Sequence, residues 1–163
     1  MDLCEPVCYH EAGHAVAAVV LSIGLKEQAI ELDSASGPAT YLECPLTTPT
    51  EDYFEKRAAV KLAGPAAECK KKGDNFDHSM LSSKEHYHQD YNEARRILQK
   101  LQTDQGQCSN RVLQEDVVSA MGLAWGVVCQ HWAAIELVAK RLQADRYVSG
   151  AEVRRIVGSP QKT

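Results

Sequence analysis

The chain has 163 residues, enough for one ordinary domain with a buried core, and a formal net charge of −4 from 18 basic and 22 acidic residues. The two signs are interspersed, and no basic stripe is available to neutralise phosphates, which argues against nucleic acid as a partner. The one basic run, Lys70-Lys71-Lys72, reads as the solvated last turn of a helix, where the helix dipole favours cations.

The six cysteines (Cys4, Cys8, Cys44, Cys69, Cys108, Cys129) contain no Cys-x-x-Cys pair, and the first residues lack a charged segment followed by an apolar one. Reduced thiols in a cytoplasmic protein are therefore expected. The most apolar stretch, residues 12–25, is too short to cross a bilayer and carries His14 and Ser22, so no direct membrane insertion is expected.

In chain order, a first helix is predicted to open near Pro6 and to run to about Ser22 before Gly24. It is apolar nearly all round and should lie at the centre of the fold. Ile30, Leu32, Tyr41 and Leu42 flank Ser34-Ala35-Ser36-Gly37-Pro38, predicting two short strands and a turn. Thr47-Thr48-Pro49-Thr50 leads into a helix from about Glu51, which Gly64-Pro65 should kink or split. Residues 73–79 read as a loop. Ser82-Ser83-Lys84-Glu85 fits a capping box opening a helix to about Gln102, followed by a loop over 103–110. The last third reads as helical, with weak points at Gly122 and Gly126. Ser149-Gly150-Ala151-Glu152 repeats the capping pattern before a short final helix to about Val157. The fold class expected is mainly α: one domain over residues 1–158, with packed helices and a small β-hairpin, and a frayed tail over 159–163.

His10-Glu11-Ala12-Gly13-His14 carries the chemistry. On a helix, residues i and i+4 share a face, so both imidazoles can reach one zinc ion at about 2.0–2.1 Å. Glu11 projects beside that face, where its carboxylate can take a proton from a water activated by the metal and pass it to a leaving amine. In an Ala/Val/Leu setting these polar groups need partners, and a metal supplies them.

A catalytic zinc site needs a third protein ligand and an open position. The extended signature with a third histidine is absent, because Ala17 and Val20 occupy the relevant places. Glu31 and Glu43 in the hairpin are possible ligands without helical framing. Asp90 heads a stripe with Ala94, Ile97 and Leu101, where a carboxylate is costly unless paired or metal-bound. A salt bridge from Asp90 to Arg95 or Lys84 is the plain alternative. His86, one turn earlier, is the rival ligand. Asp90 is preferred because it sits deeper along the stripe, and His86 is expected at the cleft rim.

Taken together, these segments resemble the peptidase domain of the FtsH-type ATP-dependent zinc metalloproteases over nearly the whole chain. Tyr9-His10-Glu11-Ala12-Gly13-His14-Ala15 is similar to the family's zinc helix. Gly37-Pro38-Ala39-Thr40 is similar to its Gly-x-Thr edge strand, thought to align substrate. Residues 62–68 are similar to its Leu-Gly-Gly-Arg-Ala-Ala-Glu segment, with Pro65 in place of a glycine and Ala66 in place of the arginine. Asp90-Tyr91-Asn92-Glu93-Ala94 is similar to the motif whose aspartate is the third zinc ligand, and residues 142–156 resemble the closing segment. Residues 85–89 depart from the small-residue turn that precedes that aspartate.

The resemblance implies a zinc metalloendopeptidase with His10, His14 and Asp90 as metal ligands and Glu11 as the catalytic base. It implies a peptide or unfolded-protein substrate. Glu68 matches a family glutamate that could support a zinc histidine. No ATPase segment is present in these residues, so a separate ATPase or regulatory protein is a possible partner, and a monomer or small oligomer is expected. The competing reading is a non-catalytic FtsH-like binding or regulatory module that keeps the fold and its metal.

Overall fold

The computed structural model describes residues 4–33, 35, 37–43, 50–83, 85–104 and 110–158. The chain is mainly helical with a small antiparallel sheet. In order it forms α1 (Cys4–Val20), β1 (Leu25–Glu31), β2 (Ala39–Leu42), α2 (Glu51–Lys72), α3 (His78–Ser83), a 3-10 turn (Glu85–Tyr87), α4 (His88–Asp104), α5 (Asn110–Gln130), α6 (Trp132–Asp145), β3 (Tyr147–Val148) and α7 (Gly150–Gly158).

Helix α1 is the central element, as its all-round apolar character requires. Cys8, Tyr9, Ala12, Ala15, Val16, Ala17 and Ala18 are all buried, and the helix packs on α2, α6, α7 and the sheet. It ends where Ser22 turns left-handed at φ 58 and Ile23 N donates to Ala18 O, the 6→1 bond of a Schellman ending.

Helix α2 lies against α1 on one side and against α4 and α5 on others. Thr50 caps it, its hydroxyl accepting from Tyr53 N, and Gly73 closes it in the left-handed conformation. The break expected at Gly64-Pro65 does not occur: α2 runs on through Pro65. Residues 58–60 and 62–69 are buried, and burial on this scale outweighs the roughly 3 kcal/mol cost of one interior proline. The α1–α2 crossing is close. A Cβ on Gly13 would stand 2.4 Å from the Ala63 carbonyl oxygen.

The sheet has the order β2-β1-β3, both pairings antiparallel. The register places Ile30 opposite Thr40 and Val148, with an irregularity in β1 between Leu25 and Ile30. The hairpin strands were legible in the sequence; β3 was not, because two residues carry no periodicity. The expected turn falls partly on Ser34 and Ser36, which lie outside the described residues, as do Thr47, Thr48 and Pro49, the loop residues 105–109 and the tail 159–163.

The capped helix start at Ser82 is also corrected. Ser82 lies in the last turn of α3, its hydroxyl 3.0 Å from the carbonyls of His78 and Ser79, and α4 begins only at His88. The expected loop is shortened accordingly, since α3 opens at His78. The second capping pattern holds: Glu152 N donates to Ser149 Oγ at 3.2 Å, starting α7. Gly122 and Gly126 do not interrupt α5. The break comes at His131, where α5 and α6 turn by 78°.

Trp132 stacks on Tyr9 and Trp125 on Phe76, with centroids 5.5 and 5.7 Å apart. No disulfide joins Cys8, Cys69 and Cys129. The Cys4 side chain, Cys44 and Cys108 lie outside the described set. No single helix among the described residues is long and apolar enough to cross a membrane.

Candidate metal centre

The site forms where α1, α2 and the first turn of α4 meet under β2. His10 and His14 lie one turn apart on α1, and Asp90 lies in the first turn of α4, where a carboxylate suits the helix dipole. One ligand atom from each of the three falls within 4.8 Å of the other two, a group that could hold a metal ion.

The outer partners orient both rings. His14 Nδ1 stands 2.8 Å from the Val60 carbonyl. A carbonyl only accepts, so Nδ1 carries the proton and Nε2 faces Asp90 Oδ2, 3.4 Å away. His10 Nδ1 donates to Glu68 Oε2 at 3.2 Å, and its Nε2 lies 2.9 Å from the same Asp90 oxygen. Both Nε2 atoms and one carboxylate oxygen thus converge, while a carbonyl and a carboxylate hold the far side of each ring. This is the support that metal-ligating histidines require.

Charge tells the same story. Burial works against an imidazolium at His10, but hydrogen bonds to Asp90 and Glu68, with the charges of Asp90 and Glu11, overcome it and push the pKa up to about 10. Burial likewise opposes ionisation of Asp90, yet the His14 charge and the bonds to His10 and His14 hold its carboxyl far below the usual range. Glu68 is lowered to about 2, with its burial outweighed by His10 and by Lys72, which ion-pairs with it. The pocket is rich in ionised carboxylates and demands a cation. In the metal-free protein a proton on His10 meets that demand. Two imidazoles and a carboxylate are a donor set that suits a divalent transition metal, zinc among them.

Glu11 is buried beside the group, and Thr40 Oγ1 on β2 lies 2.6 Å from its Oε2. The hydroxyl donates to the carboxylate and fixes its direction. A cleft of about 230 Å³ opens over these side chains, lined by His10, Glu11, His14, Thr40, Lys61 and Asp90 among others. His86 is not on α4, as the sequence suggested, but in the 3-10 turn. It is half-exposed on the cleft rim, with Nε2 3.4 Å from Glu68 Oε1, and is not in the metal group. Glu31 and Glu43 are not in that group either. The other histidines have separate roles: His78 meets the Tyr91 hydroxyl at 2.5 Å, and His88 Nε2 the Ser82 carbonyl at 2.7 Å.

Three features escaped the sequence reading. The Val60 carbonyl is backbone and leaves no sequence signal. Thr40 stood in a segment noted only by resemblance, with no link to Glu11. Gly64 looked like a helix breaker, whereas a Cβ there would meet His14 Nε2 at 2.4 Å and His10 Cδ2 at 2.9 Å. Its bare Cα lets α2 pass directly beside the Nε2 edge of His14 and the Cδ2 edge of His10.

No family model and no curated protein matches this chain.

Proposed function

We propose that the protein is a zinc metalloendopeptidase with His10, His14 and Asp90 as metal ligands and Glu11 as the base. The observation that carries this reading is the convergence of the three ligand atoms within 4.8 Å with a buried glutamate held beside them in an open cleft. A purely structural metal site has no use for a further carboxylate, outside the ligand set, held by a hydroxyl at the cleft.

Zinc, when bound, would polarise the scissile carbonyl and acidify a water molecule. Glu11 accepts the proton released by that water and delivers it to the departing amine. Thr40 keeps Glu11 facing the cleft. Glu68 and the Val60 carbonyl keep the Nδ1 protons in place, so that both Nε2 lone pairs point inward. His86 at the rim is positioned to contact the substrate. Among the described residues β2 pairs on one side only, with β1, so its other edge can take an extended peptide as an added strand beside Glu11.

The resemblance to FtsH-type peptidase domains supports the same assignment through residues 9–15, 37–40 and 90–94. On this reading the substrates are peptides or unfolded segments, and a separate ATPase would serve for folded ones. The test is zinc stoichiometry of the purified protein together with cleavage of unfolded casein with and without chelator. Absence of metal after zinc reconstitution would overturn the proposal.

A further inference from the structure

A second cavity, of about 370 Å³, adjoins the metal cleft and shares Thr40, Leu42 and Lys61 with it. One wall is apolar, made by Tyr41 and Leu42 of β2 and Ile97 of α4. Apart from Thr40, the rest is charged. Lys61 and Glu93 pair across it at 2.6 Å, and Gln89 Nε2 donates to the same glutamate at 3.3 Å. Burial opposes ionisation of Glu93, but these contacts lower its pKa. Its charge is therefore spent on Lys61.

Arg57 of α2 and Arg96 of α4 remain. Arg57 donates to the Tyr53 hydroxyl at 2.6 Å. Among the described residues no carboxylate pairs with either arginine, whereas Arg146 and Arg154 pair with Asp33 and Glu27. The cavity thus holds an excess of two guanidinium charges next to the general base. A guanidinium favours a carboxylate through planar, charge-assisted hydrogen bonds.

We propose that this cavity is a specificity pocket for a substrate carboxylate near the scissile bond, borne by an aspartate or glutamate side chain or by the peptide's own C-terminus. The inference rests on the peptidase reading for its place in the reaction, and its binding step can be measured without hydrolysis. A peptide laid along the edge of β2 passes Glu11 at Thr40 and the cavity at Tyr41 and Leu42, so a side chain beside the cleaved bond falls between the two arginines. The apolar wall takes the methylenes of that side chain.

The probe is a set of fluorescein-labelled neutral octapeptides carrying a single Glu or a single Gln at each position in turn, each made with a free and an amidated C-terminus. Binding is measured by anisotropy to the Glu11→Gln protein in excess zinc. One position should bind Glu about tenfold or more tightly than Gln, the scale of a charge-assisted bond. That preference should collapse in the added Arg57→Gln/Arg96→Gln background. Persistence in the amidated series assigns a side-chain carboxylate; restriction to the free-acid series assigns the terminus.

Equal binding of Glu and Gln peptides throughout, or a preference that survives loss of both arginines, overturns the proposal. Should the double variant not fold, Arg96→Glu at an exposed position serves instead: it cancels the excess positive charge and should abolish the preference for Glu over Gln, and a preference that survives it overturns the proposal equally. Cleavage of the same peptides by the unsubstituted protein separates the two readings. Hydrolysis indifferent to Glu or Gln sinks the pocket and leaves the peptidase. A binding preference without hydrolysis leaves the pocket and sinks the peptidase.

Discussion

Gly64→Ala tests how tightly α2 is fitted against His10 and His14. In an exposed helix interior this substitution stabilises by up to about 1 kcal/mol. Here the new Cβ would lie 2.4 Å from His14 Nε2 and 2.5 Å from its Cε1. The ring cannot swing away cheaply, because its Nδ1 is bound to the Val60 carbonyl on the same helix. An off-rotamer imidazole costs about 0.5–1.5 kcal/mol, and a buried donor left unpaired about 1–3 kcal/mol. Against the propensity gain, the net loss of stability is about 1–3 kcal/mol. Metal binding suffers more, since losing the outer support of a ligand typically weakens it about 10–100-fold. Gly122→Ala is the matched control: it sits in α5 with nothing within 4 Å of the added carbon, and should stabilise slightly and leave metal binding alone. Urea unfolding in chelator gives the first quantity and competition with a chromophoric zinc chelator the second. If Gly64→Ala bound zinc as tightly as the unsubstituted chain, the close approach of α2 to His14 would be wrong.

Four further outcomes are expected. Glu11→Gln should keep fold and zinc while cleavage drops about 10²–10⁴-fold, the usual worth of a positioned base; residual cleavage near the original rate in a casein assay would remove Glu11 from that role. Asp90→Ala should weaken zinc binding severely, whereas His86→Ala should change turnover and spare metal content, as read by a zinc titration of both variants. Thr40→Val should lower kcat with little change in zinc affinity, because it frees Glu11 without touching the ligands; a loss of metal instead would tie Thr40 to the metal group. The pH dependence follows from His10. Its pKa, raised from 6.5 to about 10, means that the proton stabilises the metal-free fold fully below about pH 6.5 and that this contribution is lost as pH rises through about 10. Zinc must displace that proton, so apparent affinity should rise about tenfold per pH unit between pH 7 and 9, measured by competition at each pH. A flat profile would mean that His10 binds metal without releasing a proton.

The HExxH spacing, the apolar run around it and the carboxylate at the head of the α4 stripe were all legible without a structure. Each is local: helical periodicity alone brings His10 beside His14, and burial alone makes an unpartnered Asp90 expensive. The mainly helical class and the hairpin followed from periods of 3.6 and 2 in the same way. Tertiary packing decided the rest. α2 continues through Pro65 because its neighbours bury it on several sides, a contribution no propensity scale contains. Ser82 closes α3 instead of opening α4, and His86 moves to the rim as a result, because buried Tyr87 pins the chain between them. The partners that orient the two imidazoles, a carbonyl 46 residues away and a carboxylate 58 residues away, and the threonine that aims Glu11, arise from contacts between distant segments. Sequence spacing records the periodicity of one helix, and only the packed fold records which other helix stands behind it.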